Sequence, residues 1–462
     1  MTTVHNIQGK GKVAYMKGAP EVVLEHCTKI YISGSVRALT KEDVQTILKV
    51  NEEMAAQALR NLGFAYKDIT ENTSSFVEED EKNFVFVGTL GMIDPPREEA
   101  KDAIQLCKKA GIKVVMITGD HKLTAMAVAR NLGLVDKNEN TAMTGQELDK
   151  LSDEDFAKIV EDVSVYARVS PEHKVRIVKA LKQKGHVAAM TGDGVNDAPA
   201  LKMADIGIAM GITGTEVTKE ASDMVLADDN FATIVNAVKE GREIYENIKK
   251  YLTYLLRCNI MEILVLFSVM MLSPTVEAAI ALTTIQILWI NLTTDGLPAI
   301  ALGVDPGDPD LMYRKPRDPR ESVFTKDVKV YLTLVPILMT ALLLGGYFFS
   351  LQSYGLEIAR TQLFTAIILM ELANALSSRS LKHTVFKVGV FKNKFLWLAL
   401  GSSFALQMIV LYIPQMHGLF EVTYPGAQVW LVAIAFTLIT FTSLELGKYL
   451  VSKRRKNYQN VV

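Results

Sequence analysis

Val187-Ala188-Ala189-Met190 runs directly into Thr191-Gly192-Asp193-Gly194-Val195-Asn196-Asp197-Ala198-Pro199-Ala200-Leu201. A short apolar run closed by an acidic, glycine-rich turn reads as a buried strand, and the segment beyond the turn reads as a helix. The arrangement recurs at Lys113-Val114-Val115-Met116-Ile117, which ends in Thr118-Gly119-Asp120. Amphipathic helical stretches over 97–110 and 171–184 alternate with these runs. The first half of the chain is therefore expected to be α/β with a mostly parallel sheet. Ligands in such sheets bind beyond the carboxyl ends of the strands, where both Thr-Gly-Asp segments fall.

The residue types at these two turns suit phosphate chemistry. Asp193 and Asp197, four residues apart, can hold a magnesium ion, and glycine lets backbone amides approach a phosphate. Between the two turns lies Arg168-Val169-Ser170-Pro171-Glu172-His173-Lys174. Ser170 and Pro171 read as an N-cap and first helical position, so Lys174 projects from the first turn and offers a cation to the phosphate. A single Thr-Gly-Asp also describes an ordinary strand-ending turn. The ordered set of Thr-Gly-Asp, Lys and Gly-Asp-Gly-x-Asn-Asp is far more specific.

Outward from this region the composition changes. Of 462 residues, 49% are hydrophobic and 22% charged, with a formal net charge of -1. The near-zero charge argues against a nucleic-acid partner, and the apolar content against disorder. Charged residues concentrate before about position 250, and long apolar stretches fill the remainder. Taking ~20 residues per crossing, six spans are expected near 252–272, 279–303, 329–351, 361–377, 395–414 and 428–450. Basic residues cluster at Lys249-Lys250, Arg314 to Arg320, Arg379 to Lys394 and Lys453 to Lys456, whereas the loops beginning at Ser273, Gln352 and Gln415 have few. The positive-inside rule then predicts a multi-pass protein in the lipid bilayer with both termini cytosolic. Cys27, Cys107 and Cys258 are too far apart for a Cys-x-x-Cys pair and read as reduced structural thiols. The first residues lack the apolar core of a secretory signal.

Three of the expected spans carry carboxylates. Asn259 and Glu262 lie in the first, Asn291, Thr294 and Asp295 in the second, and Glu371 and Asn374 in the fourth. A carboxylate at mid-bilayer costs ~2.5–3.5 kcal/mol on insertion scales, so these groups need compensation. Spacings of three and four place Asn259 with Glu262, and Asn291 with Asp295, on common helix faces. Gly296 and Pro298 weaken the helix beside Asp295 and free backbone carbonyls, as membrane helices tolerate where they line a cavity. Such an oxygen-rich, anionic site suits a hard cation. The plainer reading is that these groups hydrogen-bond the bundle together. Arg257, a turn nearer the cytosolic end, is expected to snorkel to the surface.

Taken together, the motifs resemble the P-type cation-transporting ATPases, specifically calcium pumps of the sarcoplasmic-reticulum type. Lys17-Gly18-Ala19-Pro20-Glu21 is similar to that family's nucleotide-domain motif, Asp94-Pro95-Pro96-Arg97 to its hinge, and Met190 to Leu201 to its phosphorylation-domain signature. The resemblance implies part of a nucleotide-binding domain over 1–93, a haloacid dehalogenase-like phosphorylation domain over 94–238 lacking its nucleophile strand, and a stalk with a six-helix membrane domain over 239–462. It implies that Lys17 and Arg60 contact ATP. Thr118, Gly119, Asp120 and Lys174 would hold the transferred phosphate, Asp193 would bind Mg2+, and Asn196 and Asp197 would order that site.

By the same resemblance, Asn259, Glu262, Asn291, Thr294, Asp295 and Glu371 are ligands of transported Ca2+. Sodium and potassium pumps have a further acid where Thr294 stands, and manganese is the alternative cargo. The implied mechanism is phosphoryl transfer from Mg-ATP to an aspartate, with coupling through the charged stretch 239–253.

The departures from the family pattern are also informative. This sequence has no Asp-Lys-Thr-Gly-Thr segment to be phosphorylated, no Thr-Gly-Glu-Ser loop and no counterpart of the family's first four membrane helices. The chain is therefore expected to be a C-terminal half, from a truncated gene, a split gene or a misplaced start. It is expected to be inactive without its missing N-terminal half, and to lie in the cell membrane if prokaryotic. Two alternatives belong to other classes: a membrane-tethered phosphatase, for which Asp94 has the wrong surroundings as nucleophile, and a non-catalytic regulatory or assembly subunit.

Overall fold

Ser33 and Gly34 both take positive φ, 50° and 86°. Two successive residues of this kind make the tight turn whose twist matches an antiparallel hairpin. They join β3 (Cys27–Ile32) to β4 (Ser35–Ala38) at one edge of a six-stranded sheet. Its other strands are β1 (Thr2–Ile7), β2 (Gly11–Gly18), β5 (Arg60–Ile69) and β6 (Phe84–Met92), and the order is β1-β2-β5-β6-β3-β4. Among the described residues of this sheet, only β3 and β6 pair in parallel. The expectation of a mostly parallel sheet is thus corrected for the first 92 residues, where the hairpin β3–β4 and the long-range pairing of β2 with β5 both run antiparallel.

The computed structural model describes residues 1–9, 11–57, 59–69, 77–92, 96–136 and 141–459, with Glu78, Lys326, Asp327 and 454–459 described for their backbone alone. Asp94 and Pro95 of the expected hinge lie outside the described residues. Two compact units divide the chain, Met1–Asn236 and Ala237–Val462.

In the first unit, the helix Lys41–Ala56 lays Val44, Ile47 and Leu48 against a core of Ala14, Met16, Leu24, Ile30 and Phe84. That i, i+3, i+4 stripe is what an amphipathic helix needs to dock on a sheet. Thr40 and Asp43 close its N-terminus reciprocally, a capping interaction worth ~1 kcal/mol.

Beyond residue 96 the strands are parallel, as read from the sequence. β7 (Met116–Ile117), β8 (Ala142–Thr144) and β9 (Val165–Ala167) form one sheet in the order β7-β9-β8. β10 (Ala189–Gly192), β11 (Ile206–Met210) and β12 (Met224–Leu226) form another in chain order. The helices expected over 97–110 and 171–184 are Glu98–Lys109 and Pro171–Gln183, each one residue shorter at the C-terminal end. Ile117 packs on Val178, Met190, Ala200 and Leu201, which sets the end of β7 beside the end of β10.

The second unit is helical. Among the described residues, five helices are long and apolar enough to cross a membrane: Phe231–Leu272, Val276–Gly303, Val328–Tyr354, Lys394–Tyr412 and Ala427–Lys453. The chain is a multi-pass membrane protein. The expected span 361–377 is not among these five. It forms the helix Leu356–Ser377, joined to its predecessor through Gly355 at φ 88°. The physical reason is burial: from Thr361 to Ser377 almost every residue is enclosed by protein, so the helix carries Gln362, Glu371 and Asn374 where a lipid-facing helix would carry apolar groups.

Where these helices end, Asp305 organises a fully buried ionic cluster. Its Oδ1 accepts from Arg379 Nε at 3.0 Å and Asn393 Nδ2 at 2.8 Å, and its Oδ2 pairs with Lys250 Nζ at 3.4 Å. Lys249, Lys250 and Arg379, which read from sequence as loop cations, are therefore inside the protein. Removing one partner of a buried pair strands the other's charge, at ~3–5 kcal/mol. Asp305→Ala is expected to lower unfolding stability in detergent by about that amount, as measured by thermal melting. An unchanged midpoint would show that the cluster contributes no net stability.

Candidate functional site

The turn after β10 is built around Asp197. Its Oδ2 accepts the backbone N–H of Asp193 and of Gly194, both at 3.3 Å, and its Oδ1 pairs with Lys174 Nζ. A Cβ at position 192 would collide with Asp197 Cβ, so only glycine lets the strand end this close to the carboxylate. Lys174 reaches the turn because its helix starts where the sequence says. Ser170 caps it, and His173 Nδ1 accepts the Ser170 N–H at 3.0 Å while Nε2 meets Asp149 at 2.7 Å.

Of the two aspartates read from the spacing as a magnesium pair, Asp197 is thus engaged by Lys174 and two backbone N–H groups. Among the described residues the Asp193 carboxylate has neither hydrogen bond nor ion pair and is exposed, as is Asn196. Asp193 therefore has the donor atoms free that a divalent ion needs. Thr118 Oγ1 and Asp120 close a small turn at the end of β7, with 3.1 Å contacts from Thr118 Oγ1 to Asp120 Oδ2 and from the Asp120 N–H to Thr118 Oγ1. Gly119, between them, has open space around it. Lys17, on β2, and Arg60, at the start of β5, are exposed near the same end of two paired strands.

In the second unit the polar residues of three helices converge. The expected break is present as a π-helical turn over Asn291–Gly296, between Thr284–Ile290 and Leu297–Gly303. Pro298 has no N–H to offer the Thr294 carbonyl four residues back, and Tyr254 Oη donates to that carbonyl instead, at 2.8 Å. Ser403 Oγ serves the Thr293 carbonyl at 2.6 Å. Widened turns of this kind frequently occur at functional sites.

Around it, Glu262, Thr294, Asp295, Glu371 and Asn374 are all buried. Thr294 Oγ1 lies 2.6 Å from Glu371 Oε2, and Glu371 is within electrostatic reach of both Glu262 and Asp295. Among the described residues, Glu262 Oε1, Asp295 Oδ1, Glu371 Oε1 and Asn374 Oδ1 have no hydrogen-bond partner. Buried oxygens are almost always hydrogen-bonded, so these four have acceptor capacity to offer a bound cation or water. The side-chain amides of Asn259 and Asn291 donate to the carbonyls of Leu255 and Ile287, both at 2.9 Å, which leaves their Oδ1 atoms as the available ligands.

Comparison with known families agrees with both halves. Residues 1–99 match the model for the P-type ATPase cytoplasmic domain N, 63–202 that for haloacid dehalogenase-like hydrolases, and 279–450 that for the cation transporting ATPase C-terminus. The chain belongs to the P-type cation-transporting ATPases. Relatives of this P-type ATPase chain include a calcium-transporting ATPase of Bacillus subtilis, 43% identical over 98% of this chain, and one of Listeria monocytogenes, 40% identical over 98%. Calcium-transporting ATPase 1 of Saccharomyces cerevisiae is 37% identical over 96% of the chain. The chain spans about half the length of these relatives, 50%, 51% and 47% respectively.

Two features of this P-type ATPase chain differ from the sequence reading. Arg257 does not snorkel: it is 2% exposed and donates from Nη2 to Ser378 Oγ at 2.5 Å. Cys258, read as a structural thiol, sits in the polar cluster, with its Sγ and carboxylate oxygens of Asp295 and Glu371 all within 4.8 Å of one another. Its signal was in the sequence, since Cys258 lies four residues before Glu262 and so shares its helix face.

Proposed function

We propose that this chain forms the C-terminal portion of an ATP-driven calcium pump, in which formation and breakdown of an aspartyl-phosphate move Ca2+ through the membrane unit. The observation that carries the reading is the set of four partnerless buried oxygens on Glu262, Asp295, Glu371 and Asn374 around an opened helix. Calcium takes 6–8 oxygen ligands in irregular geometry, which side chains of this kind supply in part. The names of the relatives support calcium as the cargo, with manganese as the hard-ion competitor.

In the first unit, Lys17 and Arg60 would hold the nucleotide, and Thr118, Gly119, Asp120 and Lys174 the transferred phosphoryl group. Asp193 would hold Mg2+, which neutralises charge on the phosphoryl oxygens. Asp197 acts through others, fixing Lys174 and the Asp193-Gly194 backbone, with Asn196 beside it. The phosphorylated aspartate comes from a segment absent from this sequence. The helix Phe231–Leu272 carries both the charged stretch 239–253 and Glu262, so coupling is proposed to run along it. On the same reading, the basic residues at Arg314 to Arg320 and Lys453 to Lys456 support cytosolic termini.

The test is co-expression of the chain with the N-terminal half of the Bacillus subtilis relative, followed by ATP labelling and vesicle uptake. Calcium-dependent, hydroxylamine-sensitive label on the N-terminal partner, with ATP-driven calcium uptake, is expected. Label that responds to manganese but not calcium would replace the cargo. Stable association of the halves without any cation-dependent label would overturn the reading.

A further inference from the structure

We propose that Cys258 Sγ, together with the carboxylates of Asp295 and Glu371, forms a site for a thiophilic divalent cation of the zinc and cadmium class. This deepens the calcium reading by naming a second cation class for the same cluster, and rests on it only for the access of ions to that cluster.

The three ligand atoms already lie within 4.8 Å of one another. A tetrahedral ion with bonds of about 2.3 Å to sulfur and 2.0–2.2 Å to oxygen holds its ligands ~3.4–3.6 Å apart, so small side-chain rotations close the site. The bonding state of the oxygens supports the site. Asp295 Oδ1 and Glu371 Oε1 have no protein partner, on residues 7% and 0% exposed. Asn374 Nδ2 donates to Cys258 Sγ at 3.6 Å, and Asn374 Oδ1, also partnerless, is a fourth donor from the same helix as Glu371.

Chemical softness separates the two cation classes. Calcium is served by the oxygens and gains little from sulfur, whereas a thiolate selects zinc or cadmium over hard ions. On binding, the Cys258 S–H bond breaks, the sulfur electron pair forms the metal bond, and the proton passes to solvent, with no change of oxidation state. Cys258 is thus nearly silent towards calcium and decisive for a soft ion. The other two cysteines are buried in the first unit, and Cys27 donates to the Val23 carbonyl at 3.1 Å.

The test uses the full chain purified in detergent, titrated with cadmium chloride. One tightly bound cadmium per chain and a thiolate-to-cadmium absorption band are expected. Cys258→Ser should abolish the band and weaken cadmium binding at least ~100-fold, above the 10–100-fold typical of outer-shell changes, while leaving calcium affinity within a few-fold. In a Cys27→Ser, Cys107→Ser background, X-ray absorption of the cadmium complex should show one sulfur neighbour. That arm reports on the site even if Cys258→Ser fails to fold. An all-oxygen shell there, or an unchanged band in Cys258→Ser, overturns the proposal. Cadmium bound through Cys258 by a chain that never binds calcium would uphold this site and sink the calcium reading; the reverse pattern would do the opposite.

Discussion

Asp295→Asn is expected to abolish calcium-dependent phosphorylation by ATP when the chain is paired with an N-terminal half. The substitution keeps the size of the side chain and its place in the π-helical turn, but removes one of three clustered carboxylate charges. Breaking a desolvated charge interaction costs ~3–5 kcal/mol, which corresponds to a loss of roughly 10²–10⁴-fold in apparent calcium affinity. Phosphorylation from inorganic phosphate should survive, because that chemistry uses residues of the first unit. Reading both reactions in the same preparation separates loss of the cation site from loss of the fold. Unaltered calcium dependence would remove Asp295 from the site, and with it the principal support for calcium as cargo. Glu262→Gln should behave in the same way.

A second large effect is expected at Asp193. Among the described residues its exposed carboxylate has no hydrogen bond or ion pair, so Asp193→Asn should leave the turn intact while cutting magnesium-dependent turnover at least ~10²-fold. Asp197→Asn should behave differently. Its carboxylate holds two backbone N–H groups and Lys174, so neutralising it should disorder the turn and lower stability together with activity. The discriminating measurement is nucleotide binding in the Lys17 region, expected to persist in Asp193→Asn. Near-wild-type turnover in Asp193→Asn would mean that another group holds the magnesium.

Much of this was legible because it is local. Ser170-Pro171 marks a helix start that depends on its own neighbours, and Gly192 is required by a carboxylate five residues away. The π-helical turn follows from Gly296 and Pro298 in the same way. What escaped the sequence depends on distant partners. The burial of Arg257 requires Ser378, 121 positions later, and the placement of Cys258 requires Glu371 on another helix. The antiparallel sheet escaped because its central β2–β5 pairing joins residues more than forty positions apart in the chain, from Gly18 with Gly63 to Lys12 with Ile69. Lys250 and Arg379 look like surface cations until Asp305 is seen between them.

The enclosed helix Leu356–Ser377 also bears on biogenesis. Charged groups at the centre of a nascent helix raise its transfer cost from the translocon by ~2.5–3.5 kcal/mol each, and this segment holds Glu371 among its polar residues. Its own apolarity gives it little reason to leave the translocon for lipid. The preceding helix, strongly apolar and separated from it only by Gly355, can carry it across as the second arm of a hairpin. Ribosomal synthesis delivers the greasy arm first. The acidic arm then enters alongside a partner already present, and the residue that is costly for insertion arrives together with the surface that shelters it.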